Sequence, residues 1–121
     1  MDQVVQKLIA LGVPGIIVLV MVASSSVYGA AAVVAVLATL GGPLGMMGGL
    51  ALLGVVGLVA ESVSKYGMEA IFVRVVRGLV NDGTPIPEIR EQIAKYPISA
   101  DLKRRINELL DQMEKDNGTK S

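Results

Sequence analysis

The sequence contains no cysteine, no histidine and no tryptophan. Without cysteine there is no disulfide and no thiolate metal site, and the chain carries no signal of its redox compartment. Without histidine, imidazole ligands are excluded too, and Ser–His or Cys–His catalysis lacks its base. Aromatic residues are scarce: one phenylalanine, Phe72, and three tyrosines. The most informative absence is of charge. Apart from Asp2 and Lys7, every charged residue lies between Glu61 and Lys120, and Leu8 to Ala60 hold none at all. The 11 basic and 11 acidic side chains cancel, so no strong field points to nucleic acid. From Glu61 onward the carboxylates stand beside Lys or Arg at helical spacing, which reads as a solvated, salt-bridged face rather than an acid–base pair. No enzyme, no cofactor and no metal site are expected.

What is present is apolar and helical. A soluble domain is about one quarter charged, with the charge spread over its surface. A long uncharged run cannot easily face water, and runs beyond about 18 apolar residues suggest a membrane span. For a shorter run, a buried central helix is the alternative. Residues 1–12 place Val4, Val5, Leu8 and Ile9 on one side, as a short interfacial helix would. Gly12-Val13-Pro14 interrupts it, with Pro14 suited to a first helical turn. Residues 13–60 predict a transmembrane helical hairpin with its turn at 41–43, where Gly41-Gly42-Pro43 ends one helix and begins the next. The stretch from Pro14 to Leu40 exceeds the bilayer core if unbroken, so it must tilt or break at Ser24-Ser25-Ser26. A signal peptide fits less well, because a second apolar segment follows those serines.

Residues 61–83 predict an amphipathic juxtamembrane helix, kinked at Gly67 and stopped by Asn81-Asp82-Gly83. Glu61, Lys65 and Glu69 are spaced for i,i+4 pairing. Met68, Ile71, Phe72, Val75, Val76 and Leu79 form its apolar stripe, opposite Arg74 and Arg77. Residues 84–115 predict a cytoplasmic helical hairpin: Thr84-Pro85 starts one helix, Pro97 stops it, and Ser99 caps the next. Residues 116–121 read as a disordered tail. The fold class is thus all-α, a membrane-inserted glycine-rich hairpin followed by an amphipathic helix and a small soluble helical hairpin.

Gly41, Gly45 and Gly49 form a GxxxGxxxG series that Gly57 continues, and Ala31 and Ala35 form a small-residue stripe on the preceding helix. Such positions let helix backbones approach closely in lipid, either within one hairpin or between chains. Arg74 and Arg77 with Phe72 suit an anionic membrane surface, or else that helix packs on the C-terminal hairpin. Ile89, Ile93, Leu102, Ile106 and Leu109 offer an apolar face for docking a partner.

The stretch from Leu44 to Val80, rich in Gly, Ala and Val and ending in a cationic amphipathic segment, resembles the helices of circular bacteriocins. That resemblance implies membrane-directed antimicrobial activity; the charged C-terminal extension and the balanced net charge depart from it. Two functions follow as expectations. One is a self-associating, membrane-permeabilising protein of the holin, toxin or defence-effector kind, placed in the lipid bilayer of a bacterial inner membrane with its C-terminal region in the cytoplasm. The other is a membrane anchor whose C-terminal hairpin recruits a cytoplasmic protein partner. Lys103-Arg104-Arg105 is too short, and too poor in aromatics, to add nucleic acid as a partner.

Overall fold

The computed structural model describes residues 1–24 and 45–120. Its described elements are all helical: α1 (Asp2–Leu11), α2 (Val13–Ala23), α3 (Gly45–Tyr66), α4 (Met68–Asn81), α5 (Ile86–Lys95) and α6 (Ala100–Lys120). Helix boundaries follow local chemistry. Gly12 sits at φ 76°, a left-handed conformation that glycine alone adopts without strain, and it both ends α1 and precedes α2. Gly67 at φ 86° separates α3 from α4 in the same way. Pro14 occupies the first turn of α2 and Pro87 that of α5, where a missing N–H costs nothing. The Oγ of Ser99 accepts a 3.1 Å hydrogen bond from the Leu102 N–H and caps α6. The second helix of the C-terminal pair thus starts where expected. Its partner starts one residue later than Thr84-Pro85 suggested, with Pro85 itself as the capping residue. α6 runs to Lys120, through the segment expected to be a disordered tail.

α2 is the centre of the fold. Ile16, Ile17, Val18, Leu19 and Val20 are consecutive and each wholly buried, so every side of this helix is covered. It lies against α1, α3, α4, α5 and α6. α1 adds Val4, Val5 and Leu8 to that core, and α4 adds Ile71, Phe72, Val75, Val76 and Leu79. From α5 and α6 come Ile89, Ile93, Leu102, Ile106 and Leu110. Each fully buried side chain of this size contributes roughly 1.5–3 kcal/mol relative to exposure.

Among the described residues, no helix is long and apolar enough to cross a membrane. This overturns the membrane-inserted hairpin expected over 13–60. α2 ends at Ala23, where the Ser24 N–H donates to the Val20 carbonyl at 3.0 Å, and Ser25 and Ser26 lie outside the described residues. Eleven residues of helix span about 16 Å, half of the ~30 Å hydrocarbon core. α3 has 22 residues, but it continues past Ala60 through Glu61, Ser62, Ser64 and Lys65. The permeabilising and membrane-anchor functions rested on that insertion, as did an inner-membrane location, and all three fall with it. An uncharged stretch reads alike whether lipid or protein covers it, and for α2 protein does.

Candidate functional site

Gly67 sets up the site. Because it interrupts the helix, Lys65 and Glu69 do not share one helical ladder, and the expected pair between them does not form. Lys65 instead pairs with Glu61 at 3.9 Å on α3. Glu69 is left exposed in the first turn of α4, and Arg77 is exposed two turns later. Neither side chain makes an ion pair or hydrogen bond among the described residues, whereas Arg74 on the neighbouring face reaches Asp2 of α1 at 3.1 Å.

α4 and α6 enclose an open groove next to these charges. One end, about 70 Å³, is lined by Phe72, Val73, Leu109, Met113 and the polar Gln112, with Glu69 and Asp116 beside them. The other, about 210 Å³, is lined by Val76, Val80, Ile86 and Met113, with Arg77 and Asn81 at its rim. Met113 belongs to both, so the two cavities adjoin along a shallow trough beside α4. The lining of this trough is mostly apolar, with Gln112 and Asn81 as uncharged polar members, and its ends carry opposite charge. Both volumes lie below the ~300–1,000 Å³ of typical small-molecule pockets. A row of side chains from another helix suits the shape better, as in helix-in-groove recognition.

A second polar feature ties α5 to α6. The Arg90 guanidinium donates to Asn107 Oδ1 at 2.9 Å, Asp111 Oδ1 at 2.7 Å and Glu114 Oε1 at 2.6 Å. The contacts with Glu114 and Asp111 hold its pKa above the ordinary value, the bond to Glu114 first among the causes. Lys103 donates from Nζ to the Ala94 carbonyl at 2.8 Å, closing the last turn of α5. These contacts tie α5 to α6, which forms one wall of the groove. Among the described residues there is no group of three or more His, Cys, Asp or Glu that could hold a metal ion.

The residues expected to dock a partner are placed elsewhere. Ile89, Ile93, Leu102, Ile106 and Leu109 are all buried in the core, and of these only Leu109 also borders the groove. Phe72 is 1% exposed, so it does not stand with Arg74 and Arg77 on a membrane-facing surface. α4 as a whole packs against α1 and α2. Gly57 is exposed, and a Cβ there would meet nothing within 4 Å. Gly45 and Gly49 lie in the first turns of α3, while Gly41, Ala31 and Ala35 fall outside the described residues. The close approaches are made by other glycines: Gly15 against the backbone of Leu8, and Gly78 against the side chain of Ile9. Sequence reasoning singled out neither Arg90 nor Glu69 as part of a site. The one available signal was that Arg90 and Asp111 both fall beside their helices' apolar stripes.

No protein-family model, no curated protein and no solved structure matches the chain. The resemblance of Leu44 to Val80 to circular bacteriocins thus gains no support, and the membrane activity it implied falls with the missing span.

Proposed function

We infer that the chain is a non-catalytic protein-interaction module that takes an amphipathic helix of a protein partner into the groove between α4 and α6. The observation that carries this reading is the trough itself: a mostly apolar lining, with the side chains of Glu69 and Arg77 at opposite ends making no ion pair among the described residues. An amphipathic helix would supply apolar side chains at i, i+3, i+4 and i+7 to the floor and charged ones to the rims. The lack of histidine and cysteine supports a binding role over a catalytic one. The balanced charge gives no reason to add nucleic acid.

The test is site-specific photocrosslinking in cells. A photoreactive residue replaces Val80, which lines the groove and is 41% exposed, or Lys7, which is exposed and does not line it. Discrete protein adducts from position 80, absent from position 7, are expected. Adducts of equal yield from both positions, or none from either, would remove the groove as a docking site.

A further inference from the structure

We propose that the occupant of this groove is a second copy of the chain, docked antiparallel about a two-fold axis at Val73, so that Glu69 of each copy faces Arg77 of the other. The proposal rests on the docking role assigned to the groove and names the partner.

The stripe that α4 shows to the groove is self-complementary. Val73 is half-buried at its middle, Glu69 lies one turn before it and Arg77 one turn after. In an antiparallel helix pair related by a two-fold, residues equally far on either side of the axis oppose each other. An axis at Val73 therefore sets Glu69 against Arg77 twice. Asp116 stands at the Glu69 end of the groove and adds a second carboxylate facing the incoming arginine. Tyr66 and Val80 are the exposed large hydrophobics among the described residues, 45% and 41% exposed. Val80 lies seven positions after Val73 on α4, at the Arg77 end of the groove, whereas Tyr66 lies across the Gly67 break at the end of α3. A heterologous helix could match the charges, but it would have no reason to require this symmetry.

The contact should be weak. α4 has 14 residues and is about 21 Å long, so one groove-to-groove contact falls at the low end of interface sizes, below about 1,200 Å² in total. Its affinity should be on the order of micromolar, and the association reversible.

Charge reversal provides the experiment, read by sedimentation velocity of the full chain from about 5 to about 500 µM. The wild type is expected to shift from monomer to dimer across that range. E69R sets arginine against arginine, and R77E sets glutamate against glutamate, so each should weaken dimerisation about tenfold. An equimolar mixture of the two variants restores both unlike pairs and should dimerise within about threefold of the wild type. Both positions are exposed, and recovery in the mixture shows that neither variant has lost its fold. A wild type monomeric throughout, or a mixture no better than either variant alone, overturns the proposal. Crosslinks from position 80 separate this from the wider reading. An adduct at twice the chain mass supports the second copy. Adducts at other masses, with a monomer in sedimentation, keep the groove and overturn the self-pairing, and no groove-specific adduct overturns both.

Discussion

Gly15 lies against the backbone of Leu8 so closely that a Cβ on Gly15 would run into the Leu8 carbonyl oxygen, with the carbonyl carbon only 2.9 Å away. This contact sets the crossing of α1 over α2. Backbone cannot swing aside as a side chain can, so Gly15→Ala should cost about 3 kcal/mol. Gly78→Ala is the control, since its Cβ would meet the flexible end of Ile9. Helix propensity offsets part of that, leaving a loss of about 1 kcal/mol or less. Urea unfolding of the two variants checks the order. Equal losses would mean that the α1–α2 crossing relaxes freely.

Phe72 is the one phenylalanine, and it is buried at the seam between α4 and the rest of the core. Phe72→Ala should cost about 3–5 kcal/mol, and Phe72→Leu about 1.5 kcal/mol or less. A loss below about 1 kcal/mol for the alanine variant would show that α4 is only loosely attached.

Arg90 serves three acceptors on α6 while its side chain is 28% exposed. Asp111 and Glu114 remain in contact with solvent, at 69% and 52%, which limits the Coulombic part. Arg90→Ala should therefore cost about 1–2 kcal/mol. Arg90→Lys should recover less than half, because one ammonium cannot reproduce the guanidinium fork. Full recovery by lysine in thermal melts would reduce the cluster to simple charge attraction.

Burial raises the pKa of the Tyr96 phenol above its ordinary value of 10.0. The folded chain thus keeps this proton to higher pH than the unfolded chain does. The corresponding stability is complete below the unfolded pKa and is lost as pH rises through the folded one. Between about pH 8 and about pH 11, Tyr96→Phe should lose less stability than the wild type. An equal loss in both would place the alkaline sensitivity elsewhere.

The legible parts of this fold are those specified locally. Gly12 and Gly67 stand where the helical pattern changes direction, and both take a backbone conformation that breaks a helix. The Ser99 cap and the stripe from Ile71 to Leu79 are written within a turn or two of sequence, and both are found where expected. What covers an apolar surface is not written locally. Ile16 to Val20 are apolar on every side, a pattern that suits lipid and a protein centre equally. The stripes of α5 and α6 had the same ambiguity: Ile89 and Ile106 report burial, not whether the cover is a partner or the same chain. The groove was less legible still. It exists because α4 and α6 are neighbours in space, and Glu69 belongs to it only because Gly67 removes the spacing to Lys65.

The position of α2 has a consequence for synthesis. Among the described helices, α2 precedes four of the five that cover it, and α6 comes after the other four. From Ala23 to Met113 there are about 90 residues, which take roughly 5–18 s to translate at about 5–20 residues per second. Until α6 has been made, part of this uncharged apolar segment lacks its cover, the kind of surface that chaperones and membrane-targeting factors bind. The order of helices along the chain thus makes its passage from the ribosome a race between late-arriving α6 and every other acceptor of that surface.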